Sequence, residues 1–208
     1  QEQNNAGSLS DVWKNKFFRS TIPLGLFNYG GMIAVQTLWA GPWMVRVSGY
    51  DPLESATGLF WINTTMLIAF LTWGYFLPKF RKYGLDAVKL MKYGLPISYL
   101  ALLVIIFSGE NAGAVHFTIY ILTSIVLTLT QPAVAMSFST SMAGKSLTSF
   151  NLLIFLGTFI MQWGIGLVID LSQFLGKGET QSFQISFFVY FIICVLCYLY
   201  FVLNNKNE

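Results

Sequence analysis

Six long apolar runs, separated by short polar segments, dominate the chain. A helix needs about 17–25 apolar residues to cross a bilayer, because it rises about 1.5 Å per residue through about 30 Å of hydrocarbon. Each run reaches that length, and helices satisfy their own backbone hydrogen bonds within lipid. The pattern predicts an all-α membrane protein whose six transmembrane helices form one domain, residues 20–204, with spans at about residues 21–45, 53–80, 85–107, 114–137, 146–171 and 183–203.

The lysines and arginines predict the orientation, because they resist translocation and collect in cytoplasmic loops. With both termini on one side, ten of the twelve cations lie on that side, and only Arg46 and Lys177 lie opposite. We therefore expect cytoplasmic termini, with a linker at residues 1–19 and a tail at residues 205–208. The chain begins with QEQNNAGSLS and has no initial methionine, which is typical of a linker cut from a longer protein.

Composition agrees with this interpretation. The chain is 55% hydrophobic and 10% charged, with a mean hydropathy of +0.61, whereas soluble domains carry about 25% charged residues. Its basic residues are scattered at the ends of the spans, so the lipid bilayer is an expected partner and nucleic acid is not. Cys194 and Cys197 lie in the middle of the last run, where a thiolate is disfavoured, and we interpret them as packing residues. No cofactor and no metal site are predicted.

Side-chain amides are the polar groups deepest in the predicted spans, which contain no deep acidic, basic or histidine residue. Polar groups are costly in lipid and usually face a cavity or another helix. The third and sixth spans lack deep amides, which favours four cavity-lining helices and two peripheral ones. The alternative is that each amide only links two helices by hydrogen bonds. The six amides are Asn28, Gln36, Asn63, Gln131, Asn151 and Gln162.

Helical spacing groups amides with aromatic residues in the fourth and fifth spans. The stripe on the fifth span is formed by Asn151, Phe155, Thr158 and Gln162. Gly157 and Gly164 lie around the helix from this stripe, on a surface suited to close helix contact. The stripe on the fourth span is formed by Tyr120, Ser124, Leu127 and Gln131, and Pro132 just beyond it should kink the helix. Such stripes suit an organic solute, because rings cover its carbon skeleton and amides fix its polar groups.

The first span places similar residues on one face of its outer half. Tyr29, Gln36 and Trp43 are spaced seven apart, with Trp39 beside them. We interpret QTLWAGPW, residues 36–43, as a cavity-lining segment of a helix that bends. The weak points for bending are Gly30, Gly31, Gly41 and Pro42. The alternative is a belt of interfacial tryptophans, which explains Trp39 and Trp43 but not Gln36.

The segment GYFLPKFRKYG after the second span resembles a loop of the major facilitator superfamily, in its degenerate second-half copy. The family pattern is Gly-x-x-x-Asp-x-x-Gly-Arg-Arg/Lys. Gly74 and the cations Lys79 and Lys82 match this loop motif, whereas Pro78 replaces the aspartate and Arg81 replaces the second glycine.

The fifth span is also similar to helix 11 of that family. It shares the asparagine, the central Leu-Gly pair and the late Gly-x-Gly, all within residues 144–170. Six spans, cytoplasmic ends and a basic loop between the second and third spans fit one half of such a transporter as well. The resemblance covers nearly the whole chain.

The resemblance implies that the chain is the C-terminal half-bundle, helices 7–12, of a twelve-helix transporter in the bacterial inner (plasma) membrane. Its expected function is secondary active transport of a small polar or amphipathic organic solute by alternating access, as a symporter or antiporter. Expected partners are that small-molecule substrate and the missing N-terminal six-helix half, or a second copy in a homodimer. The candidate substrate-binding residues are Asn28, Tyr29, Gln36, Trp39, Asn63, Tyr120, Gln131, Asn151, Thr158 and Gln162.

Other functional classes fit the sequence less well. An intramembrane hydrolase needs a nucleophile and a base at depth, but the single histidine, His116, lies near the outer start of the fourth span. A channel would show a repeated pore signature such as an Asn-Pro-Ala pair, and the sequence has none. We therefore predict that the protein is not an enzyme. The main alternative to a transporter is a non-transporting membrane receptor or assembly subunit of the same fold.

Overall fold

The computed structural model describes residues 8–82 and 86–205, which are almost entirely helical and contain no strand. The helices in chain order are α1 (Leu9–Lys14), α2 (residues 16–46), α3 (Pro52–Lys82), α4 (Ala87–Ser108), α5 (Ala114–Met136), α6 (Thr140–Phe174) and α7 (Glu179–Asn204). Outside the described residues lie positions 1–7 of the predicted linker, 83–85 at the end of the loop segment and the start of the third predicted span, and 206–208 of the predicted tail. The side chains of Leu77, Pro78, Phe80 and Arg81 are also outside the description.

Within the described ranges, five helices, α3 to α7, are long and apolar enough to cross a membrane. Their bounds agree with the predicted second to sixth spans, although α6 begins at Thr140 rather than at residue 146. The chain is therefore an all-α integral membrane protein. The remaining predicted span, 21–45, lies within α2, which is helical at every residue but changes its winding along its length.

Two π-helical segments interrupt α2. Its successive parts are α-helix Lys16–Pro23, π-helix Leu24–Tyr29, α-helix Gly30–Ala34, π-helix Val35–Trp39 and α-helix Ala40–Arg46. Pro23 and Pro42 have no N–H to donate to the carbonyl four residues earlier, so a regular α-helical ladder cannot run through either position. In the second π segment, the Ala40 N–H donates to the Val35 carbonyl, five residues back. Each π turn holds about one residue more than an α turn, which rotates everything that follows it.

Trp43 shows the effect of this rotation. It was expected to line a cavity with Gln36 or to lie in an interfacial belt, but the side chain is fully buried. Its ring packs against Phe117, Phe183 and Phe187, with centroid distances of 6.0, 6.0 and 4.7 Å. The spacing of seven residues assumed a regular α-helix, and the π segment at Val35–Trp39 breaks that spacing. The expected shared face of Tyr29, Gln36 and Trp43 is therefore wrong for Trp43.

Helix α5 also changes its winding, where Pro132 predicted a distortion. Its α-helical parts are separated by a 3₁₀ segment, Ile125–Leu129. Pro132 cannot donate a hydrogen bond to the carbonyl of Thr128, and the tighter 3₁₀ bonds lie in this preceding turn. The irregularity thus lies just before Pro132 rather than at it.

Within the described part of the predicted linker, residues 9–14 and 16–19 are helical. The Ser8 N–H donates to Asp11 Oδ2 at 2.7 Å and caps α1. Asn15 caps α2 by accepting from the Phe18 N–H at 2.9 Å, and its Nδ2 donates to the Ser137 carbonyl at 3.3 Å. These bonds attach the start of the bundle to the end of α5.

The two ends of the described chain meet at one end of the bundle. Asn205 Nδ2 donates to Ser20 Oγ at 2.9 Å, and Lys92 Nζ donates to the Asn205 carbonyl. The Tyr198 hydroxyl donates to the Lys92 carbonyl at 2.7 Å. Helices α2, α4 and α7 are therefore joined at this end.

Burial differs strongly between the spanning helices. α5 is the most buried of them and α3 is by far the least, while α4, α6 and α7 are intermediate. The third and sixth spans, α4 and α7, were expected to be the peripheral ones. Burial within the chain does not separate them from α6, and α3 leaves most of its surface uncovered by the described residues.

The backbones of α2 and α6 touch where two glycines meet. A Cβ atom on Gly157 would lie 2.0 Å from the carbonyl oxygen of Leu26, and a Cβ on Gly30 would lie 2.6 Å from the Thr158 nitrogen. The sequence prediction of close contact is confirmed for Gly157. It is not confirmed for Gly164, where a Cβ would have no heavy atom within 4 Å.

The substitution Gly157→Ala should lower the stability of the folded chain by about 1–3 kcal/mol, because the added methyl forces α2 and α6 apart. Thermal unfolding of the purified protein in detergent measures this effect. Gly164→Ala is the matched control in the same helix, and it should leave the unfolding temperature unchanged or slightly higher, since alanine favours helix over glycine. Equal unfolding temperatures for the two variants would contradict the close crossing.

Candidate functional site

Helices α2 and α3 are joined by two of the predicted amides. Gln36, which is 6% exposed, donates from Nε2 to Asn63 Oδ1 at 2.9 Å. Asn63 Nδ2 donates in turn to the Leu59 carbonyl of its own helix at 2.7 Å. Both predicted residues therefore come together, and their amide groups bond to each other rather than project separately into open space.

A second pair of bonds joins α2 to α6. Trp39 Nε1 donates to the backbone carbonyl of Gln162 at 3.0 Å, and Gln162 Nε2 donates to Thr37 Oγ1 at 3.1 Å. The Trp39 ring lies against Gly166, where a Cβ would approach it to 3.2 Å. Gln36 and Thr37 are neighbours in the second π segment, so this irregular turn bonds to α3 on one side and to α6 on the other.

The amides of α5 and α6 form a third link. Gln131 Nε2 donates to Asn151 Oδ1 at 2.5 Å. Thr158, on the same stripe of α6, donates its hydroxyl to the Ile154 carbonyl of its own helix at 2.9 Å. The predicted stripe on α6 thus contacts α5 near one end, through Asn151, and α2 near the other, through Gln162.

Asn28 and Tyr120 are placed differently from these residues. Asn28 is 1% exposed, accepts from the Tyr99 hydroxyl at 2.7 Å and donates to the Cys194 carbonyl at 3.3 Å. The Tyr120 hydroxyl lies 2.8 Å from that of Tyr190. Both residues were expected to line a cavity, but in this geometry they link helices inside the bundle, which is the alternative that the sequence left open.

Tyr99 and Tyr190 are partners that sequence reasoning missed. They lie on α4 and α7, the two helices without deep amides. A phenol hydroxyl deep in an apolar span also needs a hydrogen-bond partner, and that requirement was the available signal. Tyr29, in contrast, is half-buried and packs at the edge of both apolar core clusters.

One face of α6 is not covered by the described chain. Its large apolar side chains are highly exposed, namely Leu152, Phe155, Phe159, Trp163 and Leu167. Beside them lie Asn151, Thr158 and Gln162, each partly buried. A cavity of about 340 Å³ opens on this face, and we name it the α6 cavity. It is lined by Leu38, Phe159, Gln162, Trp163, Gly166, Leu167 and Asp170.

Charged side chains lie at the helix ends. At the end of the bundle opposite the chain ends, Arg46 of α2 forms an ion pair with Glu179 of α7 and lies 5.2 Å from the ring centroid of Phe183. At the C-terminal end of α3, the ammonium of Lys79 lies 4.2 Å from the ring centroid of Tyr75.

Two further residues of the loop motif are described on α3. Lys82 is exposed, and a Cβ on Gly74 would have no heavy atom within 4 Å. For metals, the described residues contain no group of three or more His, Cys, Asp or Glu side chains that could hold an ion.

Comparisons of the chain with protein-family models, with curated proteins and with solved structures found no match. The relation to the major facilitator superfamily therefore stays a prediction from the sequence motifs.

The substitution Asn28→Ala should lower stability by about 1–3 kcal/mol, because it leaves the Tyr99 hydroxyl and the Cys194 carbonyl without their amide partner inside the bundle. Thermal unfolding in detergent is the measurement. Asn204→Ala is the control, since Asn204 is exposed and bonds only within α7, to the Tyr200 carbonyl. Both substitutions replace asparagine by alanine and so change helix propensity alike. A loss of stability no larger in Asn28→Ala than in the control would contradict the hydrogen bonds of Asn28 to Tyr99 and Cys194.

Proposed function

We propose that this chain is one six-helix half of a secondary active transporter of the major facilitator type. In this proposal α2 is the sixth membrane span, and the protein moves a small polar or amphipathic organic solute by alternating access. The observation that carries the proposal is the uncovered face of α6. There, the exposed rings of Phe159 and Trp163 adjoin the partly buried amide of Gln162 around a cavity, a combination that suits an organic solute.

Neutral hydrogen bonds on both sides of the second π segment of α2 support a site that changes its partners. The contacts Gln36–Asn63 and Gln162–Thr37 join uncharged groups, and such bonds between membrane helices are each worth about 0.6–2 kcal/mol. A solute hydroxyl or amide can replace one partner at little net cost. Helix–helix bonds of the empty site thus become protein–solute bonds in the loaded one.

The irregular winding of α2 supports movement at the same place. The second π segment carries Gln36, Thr37 and Trp39, which are the α2 residues bonded to α3 and α6. Single π turns occur frequently at functional sites, and broken helices are a common device for binding at membrane depth. We assign this turn as the place where solute binding changes the contacts of α2.

Coupling to an ion is assigned to another part of the transporter. Every charged side chain in the described ranges lies within about two turns of a helix end, so none is placed at depth to carry a proton. If protons drive transport, the acid belongs to the second six-helix half. That half, or a second copy of this chain, would cover the exposed face of α6 and complete the cavity.

The proposed topology places both chain ends in the cytoplasm of a bacterial cell. In this orientation Lys177 is outside and Ser141 is inside, so Lys177→Cys should react with a membrane-impermeant maleimide on intact cells. Ser141→Cys should react only after permeabilisation. The native thiols, Cys194 and Cys197, are buried in α7 and give a low background. The reverse labelling pattern would overturn the orientation.

Transport itself is tested in proteoliposomes that contain the protein, with its second half where one is encoded, and a mixture of isotopically labelled amino acids, sugars, amines and organic acids. We expect saturable uptake of at least one solute. Gln36→Ala and Gln162→Ala should lower the initial rate about three- to tenfold, the effect of one lost hydrogen bond, without unfolding the protein.

Gln181→Ala is the control for these variants, because Gln181 is an exposed glutamine at the start of α7. Unchanged kinetics in both Gln36→Ala and Gln162→Ala would remove these residues from the site. A folded protein that moves no solute would favour the non-transporting receptor or assembly subunit.

A further inference from the structure

The α6 cavity contains a carboxylate, Asp170, in addition to the groups that any polar solute would need. Asp170 is exposed and lies about one turn before the end of α6, where a charge remains near water. The ion pairs of the described chain are Arg46–Glu179 and Lys89–Asp86, and neither involves it. Within the described ranges, the carboxylate therefore has no cation to neutralise it.

Two aromatic rings line the cavity on the same side of the helix as this carboxylate. Phe159 and Trp163 are 68% and 64% exposed, and they precede Asp170 by about three and two turns of α6. The faces of such rings attract cations, and tryptophan does so most strongly. Rings and carboxylate thus favour the same sign of charge.

The amide in the cavity adds an acceptor. Gln162 uses its Nε2 donor on Thr37, and no described group donates to its side-chain oxygen. An incoming N–H donor can bind there. The lining residues include no lysine and no arginine, so an anionic solute would find a repelling carboxylate and no compensating charge.

The surrounding charges are negative in sum. Asp51, Glu54 and Glu110 lie at this end of the bundle, where Arg46 is paired with Glu179 and Lys177 is a further cation. An acidic rim raises the local concentration of cations and speeds their entry. The cavity volume of about 340 Å³ is at the small end of the range for small-molecule sites.

From these observations we infer that the α6 cavity binds a compact organic monocation, a solute with one ammonium or guanidinium group on a small carbon skeleton. Asp170 holds its charge, and the rings of Trp163 and Phe159, about two and three turns earlier in α6, cover its carbon skeleton. The Gln162 side-chain oxygen accepts an N–H donor elsewhere on the solute. This inference rests on the proposed solute site and names the substrate class of that site.

The test is binding of three probes of similar size and different charge to the purified protein in phosphatidylcholine nanodiscs. The probes are phenethylammonium, neutral phenylethanol and anionic phenylpropionate, measured by calorimetry at millimolar concentrations. We expect phenethylammonium to bind at least about tenfold more tightly than the other two. Asp170→Asn should weaken its binding about tenfold, and Trp163→Leu about threefold.

Two matched controls lie outside the cavity. Glu110→Gln removes a carboxylate at the same end of the bundle, and Trp61→Leu removes a tryptophan that is 59% exposed on α3. Glu110→Gln should weaken phenethylammonium binding by no more than about twofold, through the loss of one rim charge, and Trp61→Leu should leave it unchanged. Equal binding of the three probes, an unaffected Asp170→Asn variant, or no detectable binding of phenethylammonium would overturn the inference.

The outcomes also separate this inference from the proposed function. Binding of phenylethanol as tight as that of phenethylammonium, with both dependent on Trp163 and unaffected by Asp170→Asn, would overturn the cation preference and leave the solute site standing. Cation binding that depends on Asp170, in a protein that moves no solute in proteoliposomes, would support the inference and overturn transport.

Discussion

A polar side chain within hydrocarbon has no water to bond with, so it is costly to leave it without a partner inside the protein. This constraint determines how the helices of the bundle are rotated against one another. Asn28 bonds at once to a tyrosine of α4 and to a backbone carbonyl of α7, and Gln131 bonds to an asparagine of α6. Apolar side chains pack equally well against lipid or against another helix. The amides, in contrast, find hydrogen-bond partners only in the protein. The amides therefore select one arrangement among many that would bury similar apolar area.

Close backbone contact also restricts how the helices can be arranged. The glycines at the crossing of α2 and α6 bring the two helices so near that a single methyl would not fit. The buried side of α6 that follows, with Met161, Ile165 and Ile169, then faces the bundle, and Phe159 and Trp163 face away. The uncovered aromatic face is thus a geometric consequence of where Gly157 lies. Packing on one side of the helix decides what is presented on the other.

Much of the fold could be predicted from the sequence, because the length of an apolar run and the position of charges are local properties. The stripe from Asn151 to Gln162 was also predictable, since α6 is a regular α-helix over that stretch. The rotational register of α2 could not be predicted, because a π turn depends on its surroundings as much as on its residues. Partners such as Tyr99 for Asn28 were beyond sequence reasoning as well. A hydrogen bond between residues far apart in the chain is set by tertiary packing.

The π segments of α2 also bear on how this helix can change through evolution. A turn that already holds one residue more than an α turn can lose that residue and become regular, and both flanking stretches keep their own internal bonds. A relative with a fully α-helical version of this span would therefore align with one-residue gaps near positions 24–29 and 35–39. Gaps inside a membrane helix are ordinarily treated as alignment errors. Here they would mark a length difference that the backbone itself accommodates.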